Sequence, residues 1–211
     1  MKYFKIAFLF FGLLLFVSCK THQTSFLENG DLMFVTAAQS GLSGAIDDVT
    51  QTTKNTSYDH IGILKIKGNK YYVLHAASKG GSQSQRLHSF LKNQTKAGQK
   101  IDVYRLYAND EQLIRKAITK AESLIGKPYN FDYILNVDSY YCSDFVERAF
   151  RESQIFQLEP MTFIDPKTGK THVFWENYYK NKNLKVPEGE LGCNPNGLAA
   201  SNNIFKVGEL K

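Results

Sequence analysis

The first hydrophobic pattern in the chain is an unbroken apolar run, Ile6 to Val17, preceded by Lys2 and Lys5 and followed by Ser18-Cys19. It is shorter than the ~20 residues a bilayer-spanning helix needs, and its order of charged, apolar and small residues is that of a secretory signal. The polar stretch "KTHQTSFLEN", residues 20–29, has no period and reads as a tether. After Gly30-Asp31, "LMFV" predicts a buried strand, and residues 41–57 are so rich in Gly, Ser, Thr and Asp that they predict loop, with at most one helical turn around Ala45 to Val49. "HIGILKI", "KGNK" and "YYVLHAA" predict a hairpin turning at Gly68-Asn69, and "IDVYRLY", Ile101 to Tyr107, a further strand. Then the period changes. In "EQLIRKAITKAESLI" the residues Leu113, Ile114, Ala117, Ile118, Ala121, Leu124 and Ile125 share one helical face, with Asn109 or Asp110 as cap and Gly126 and Pro128 as the stop. A second helix begins near Cys142 and buries Phe145, Val146, Ala149 and Phe150. From Gln154 the pattern weakens to a turn at "DPKTGK", a short aromatic helix at "FWENYYKN" and the irregular "VPEGELGCNPNGLAASNNIF". Strands, then helices, then a wrapping tail predict one α+β domain over residues 30–211.

A cysteine directly after a small residue, at the end of a signal, is where bacterial lipoproteins are cut and acylated. Residues 1–18 are therefore expected to be removed, with Cys19 as the lipid attachment site and residues 19–29 as the tether. No acidic cluster follows in "KTHQTS", so the expected place is the cell envelope, at the outer membrane facing the periplasm. Loss of the signal removes two lysines and lowers the formal charge from +6 to +4. That excess is mild, and without a basic block interleaved with aromatics it offers nothing to a nucleic acid. Cys142 and Cys193 remain, too few for a disulfide scaffold, although one bridge between them stays open. Neither has a near cysteine or histidine at zinc-ligand spacing, and no metal is expected.

A cysteine nucleophile needs a base to take its proton and a third group to hold that base. Cys142 sits where free N–H groups and the positive end of a helix would lower a thiol pKa, with Asp138 or Ser139 as cap; a small buried cysteine at a helix start is the alternative. His60 enters the first arm of the hairpin and His75 lies on the second. With the turn centred between Gly68 and Asn69, paired positions sum to 137, so His75 is the diagonal neighbour of His60 on the same face. His22, His88 and His172 read as surface, and Cys193 has no helix start to activate it. Phosphate-loop and G-x-S-x-G motifs do not occur.

Six segments in order, "GDLMFV", "SYDHIGIL", "YYVLHAA", "VYRL", "LIGKPYNF" and "YYCSDFVERAF", resemble the permuted papain-like amidases, the YiiX/YaeF-type members of the NlpC-type cysteine peptidase superfamily. The resemblance covers residues 30–150 and extends loosely to "PEGELGCNPNGLAAS". It implies an antiparallel sheet or partial barrel packed against helices, with His60 as general base, Cys142 as nucleophile and His75 as the group orienting the base. At position 75 such permuted members commonly carry glutamate, so histidine is a departure; it fixes a tautomer but supplies no negative charge. Tyr58, Tyr129 and Tyr141 are expected to line the cleft. The implied activity is hydrolysis of an amide bond in a cell-wall peptide or a lipid or acyl amide, without cofactor. An acyltransferase or thioesterase acting on lipids, and a binding lipoprotein with an incidental cysteine, are the competing readings.

Overall fold

The computed structural model describes residues 24–95, 98–108 and 110–210, so the signal segment and Cys19 lie outside the described residues. The strands are β1 (Leu32–Thr36), β2 (Tyr58–Lys67), β3 (Lys70–Ala77), β4 (Gly81–Arg86), β5 (Ile101–Leu106), β6 (Glu159–Pro160), β7 (Ile164–Asp165), β8 (Lys170–Thr171), β9 (Leu191–Gly192) and β10 (Ile204–Leu210). The helices are α1 (Gly41–Val49), α2 (Leu87–Gln94), α3 (Glu111–Ser123), α4 (Cys142–Phe150), α5 (Val173–Asn181) and α6 (Pro195–Ala199). A six-stranded antiparallel sheet in the order β10-β5-β1-β2-β3-β4 carries the fold. The α+β class holds.

The central strand β1 is apolar at successive positions because both its faces are covered. Leu32 and Phe34 pack with Ile61, Ile63, Leu74 and the buried sides of α3 and α4, while Met33 and Val35 pack with Leu64, Val73 and Leu87, Phe90 and Leu91 of α2. In the hairpin the register is Ile63↔Leu74 through Lys67↔Lys70, the one that a turn at Gly68-Asn69 demands. Helix α3 starts where Asp110 Oδ1 accepts from Gln112 N at 2.8 Å and Leu113 N at 3.2 Å.

Four segments depart from the sequence pattern. α1 is a nine-residue helix rather than a single turn; Trp175 Nε1 donates to Ala45 O at 3.0 Å, and burial of Gly44, Ala45 and Val49 overrides weak propensity. β4, "GSQSQR", has no apolar alternation, because main-chain pairing to β3 holds it in place. α2 and β10 each complete a core that local sequence does not announce. The end of the tether also docks: Leu27 is buried beside Leu210, and Arg105 Nη2 donates to Phe26 O at 2.7 Å.

That docking centres on Asp31, whose side chain is 0% exposed. Arg105 Nε donates to its Oδ1 at 2.7 Å and Nη2 to its Oδ2 at 2.9 Å, and Glu28 N donates to Oδ2 at 2.7 Å. Removing one partner of a buried pair leaves an uncompensated charge, which costs several kcal/mol. Arg105→Met is expected to lower unfolding stability by about 3 kcal/mol in urea titrations. A loss under about 1 kcal/mol would mean that Asp31 finds water instead.

Candidate active site

Cys142 is the first residue of α4, after Tyr141 in extended conformation at the cap position. Asp138 and Ser139, expected as caps, do not cap it; Asn136 Oδ1 instead accepts from both their N–H groups, at 2.9 and 2.8 Å, and folds the preceding loop on itself. The thiol is 5% exposed and lines a cavity of about 560 Å³. Tyr129 and Tyr141 line the same cavity, together with Asp59, Tyr133 and Trp175. Cys193 also lines it, and both cysteines are free thiols.

Tyr58 departs from its expected place. The pairing of β1 with β2 runs Val35↔His60 and then Thr36↔Tyr58, so Asp59 is a bulged residue. The bulge turns Asp59 into the cavity and Tyr58 into the core, where its hydroxyl donates to Asp102 Oδ2 at 2.6 Å and its ring lies tilted against Phe34 with the centroids 5.1 Å apart.

The two histidines meet: His60 Nε2 and His75 Nδ1 are 2.8 Å apart. Gly62 lies between them in the weave, and a Cβ there would come within 3.1 Å of His75 Cβ. Both rings lie against Phe90, with centroids 6.0 and 5.0 Å away, on the face that α2 covers. Neither histidine lines the cavity. Cys142 approaches from the other face, and its Sγ is 3.9 Å from Asp59 O, the carbonyl of the peptide leading into His60. Bond geometry then sets Sγ within ~6 Å of His60 N. Among the described residues no hydrogen bond joins the thiol to either imidazole.

Charge at the site follows burial. Burial pushes the Cys142 thiol up to about 12, the Asp59 carboxylate adds to that, and N–H groups of Ile61, Ser143 and Cys142 oppose it. The thiolate expected from the helix start is therefore not the resting state. A helix terminus contributes at most ~1–2 kcal/mol, whereas full burial shifts a pKa by as much as ~3–5 units. Burial likewise lowers His75 to about 4 and His60 well below the usual imidazole range. At neutral pH the thiol and both imidazoles are uncharged.

Three residues around the thiol were not singled out in the sequence. Asp59 stands beside His60 in "SYDH", but only the bulge gives it a cavity face. Trp175 reads in the sequence as one of several tail aromatics able to form the wall of an acyl channel or of an open groove. Tyr133 adopts a positive φ of 56°, which no local pattern signals.

The family model for permuted papain-like amidase enzymes, YaeF/YiiX, C92 family, matches residues 26–208. An uncharacterized protein of Escherichia coli strain K12, YiiX, is 29% identical over 126 residues, 60% of this chain, and the match spans 58% of that protein's length. The fold is similar to the crystal structure of YiiX from Escherichia coli O157:H7, with a TM-score of 0.71, 22% identity, and coverage of 86% of this chain and 96% of that one. That protein is described as a metalloprotein. Among the described residues of this chain, no group of three or more His, Cys, Asp or Glu is arranged to hold a metal ion. With a match extending from the docked end of the tether into the last strand, the chain belongs to the permuted papain-like amidase family, YaeF/YiiX, C92.

Proposed function

We propose that this protein is a cysteine amidase in which Cys142 is the nucleophile, His60 the general base and His75 the group that orients it. The observation that carries this reading is the 3.9 Å contact between Cys142 Sγ and Asp59 O, which sets the thiol against the peptide leading into His60. Because His60 Nε2 is engaged by His75 Nδ1, the nitrogen left to receive the thiol proton is His60 Nδ1. The β2–β3 ladder ends at Ile63↔Leu74, but His60 stays paired with Val35 of β1, so the reading requires the bulged end of β2 to turn the imidazole toward the thiol when substrate enters. Catalytic hydrogen bonds are commonly long before substrate binds.

His60 takes the proton as Cys142 Sγ attacks the carbonyl carbon. The carbonyl π pair moves to oxygen, beside the Cys142 N–H. Collapse breaks the C–N bond, and the imidazolium gives its proton to the leaving amine. Water, deprotonated by the same imidazole, then releases the acyl group. Since all three groups rest uncharged, proton transfer accompanies attack instead of preceding it.

The substrate class is read from the cavity wall. Among the described residues Asp59 and Glu159 are the charged ones lining it, and no Lys, Arg or His does, whereas Ile46, Phe156 and Met161 do. A neutral acyl amide fits this wall better than an acidic cell-wall peptide. Export and anchoring through an acylated Cys19 complete the proposal, supported by the apolar run and Ser18-Cys19 in the sequence.

Iodoacetamide alkylation tests the charge state. The Cys142 rate is expected to rise about tenfold per pH unit from pH 6 to 9, because thiolate is a small fraction of a group pushed up to about 12. A plateau near neutral pH would mean a preformed thiolate and overturn the concerted step. His60→Ala should lose cleavage of neutral acyl amides yet keep alkylation above pH 10, where hydroxide replaces the base; equal cleavage by both proteins would remove His60 from the mechanism. Mass analysis of the products decides between water and a second lipid as acyl acceptor.

A further inference from the structure

Tyr133 combines features that packing alone does not require. It is 8% exposed, it lines the cavity beside Cys142, and among the described residues its hydroxyl has no hydrogen-bond partner. A buried hydroxyl without a partner costs about 1–3 kcal/mol, so native proteins rarely keep one without a use. Its backbone sits at φ 56°, a region that a bulky side chain adopts only when its surroundings impose it.

The surroundings do impose it. Asn130 Oδ1 accepts from Asp132 N and Tyr133 N at 3.0 and 3.1 Å, and Asn130 Nδ2 donates to Ile134 O at 2.7 Å. Helix α5 clamps the same loop, with Tyr178 Oη donating to Phe131 O at 2.7 Å and Tyr179 Oη to Asp132 O at 3.0 Å. The ring is held between Tyr141 and Trp175, each with its centroid 5.6 Å away. Both neighbours have committed polar ends: Tyr141 Oη accepts from Cys193 N, and Trp175 Nε1 donates to Ala45 O. The Tyr129 hydroxyl is close enough to interact with that of Tyr133 and to shift its titration as a weak hydrogen-bonding neighbour would, but the contact falls short of ordinary hydrogen-bond geometry and leaves the Tyr133 hydroxyl able to turn to a ligand. Negative charge on Cys142 would raise the Tyr133 phenol further above its ordinary range, which places the hydroxyl in the electrostatic field of the thiol. Burial keeps the phenol protonated, as a donor must be.

We propose that Tyr133 is a catalytic residue whose hydroxyl donates a hydrogen bond to the oxygen of the scissile carbonyl, strengthening as that oxygen becomes an oxyanion. It keeps its proton throughout and shares the oxygen with the Cys142 N–H. The strained loop holds the donor in position before substrate arrives, which is the condition for lowering a barrier electrostatically. The proposal rests on the amidase reading, since it needs Cys142 to attack a carbonyl.

Tyr133→Phe removes one oxygen that, among the described residues, makes no hydrogen bond of ordinary geometry. With a neutral aldehyde such as N-acetyl-leucinal, Sγ bonds to the carbonyl carbon, the π pair moves to oxygen, and oxygen takes the thiol proton. The resulting hemithioacetal oxygen occupies the oxyanion position. Tyr133→Phe is expected to weaken this inhibition, and to lower kcat on a neutral acyl amide, by about 10² with KM little changed. Its melting temperature should be unchanged or higher, and iodoacetamide alkylation, which forms no oxyanion, should keep its rate. Equal aldehyde affinity in both proteins, or no aldehyde binding to a wild-type Cys142 that alkylates, overturns the role of Tyr133 alone. A lower melting temperature with slower alkylation makes the hydroxyl structural. A wild-type Cys142 inert to iodoacetamide at every pH sinks the amidase reading and this role with it.

Discussion

Cys142→Ser is expected to lower kcat/KM on a neutral acyl amide by at least ~10³-fold while leaving the fold intact. Serine is slightly smaller than cysteine, and its hydroxyl would meet Asp59 O and the Ile61 N–H, which already flank the thiol. Stability should therefore change by no more than ~1 kcal/mol. Chemistry suffers far more. The His60 imidazole proposed as base is held neutral and weakly basic by burial, as is His75 beside it, and such a base has little hold on an aliphatic hydroxyl. The same cavity with the same ligand affinity but no turnover is the signature expected of the variant. Unchanged turnover would mean that the nucleophile is not Cys142, whereas no turnover in either protein with equal ligand affinity would make the chain a binding protein on a retained scaffold.

The parts of this arrangement that were legible in the sequence share one property: a local period or turn determines them. The Gly68-Asn69 turn fixed the hairpin register, and the register put His60 and His75 on one face, where they meet at 2.8 Å. The helical period and the Asp110 cap gave α3, and the amphipathic run after Tyr141 gave the start of α4. What was not legible depends on contacts distant in sequence. The bulge at Asp59 is set by the pairing of β1 with β2, and it decides that Tyr58 enters the core while Asp59 faces the thiol. Tyr133 takes its conformation from Asn130 and from α5, more than 40 residues later. The thiol's titration is illegible for a related reason: a helix start is visible in sequence, but the burial that outweighs it is not.

Gly81 shows how such distant contacts hold the site. Gly81→Ala is expected to cost about 4 kcal/mol and, for a domain of this size, to lower the melting temperature by roughly 10 °C. The glycine has φ +65°, and a Cβ there would lie 2.1 Å from Lys127 O and 3.1 Å from Pro128 Cα, so main chain would have to move. That main chain is tied to β4 by Ser82: Ser82 N donates to Lys127 O at 2.8 Å, Ser82 Oγ to Leu124 O at 2.7 Å, and Lys127 N to Ser82 Oγ at 2.9 Å. The segment then runs through Tyr129 and Tyr133 to Cys142, so displacement at Lys127 is carried into the cavity wall and activity should fall with stability. Gly126→Ala separates the two causes. It has φ +93° but nothing within 4 Å of the added Cβ, so it bears backbone strain alone, about 1–2 kcal/mol. Equal losses in the two variants, by urea or thermal unfolding, would mean that close approach to Lys127 contributes nothing. A larger loss at Gly81, with Cys142 alkylating more readily as the cavity loosens, is the result expected of a strand that braces the cavity-lining loop from behind.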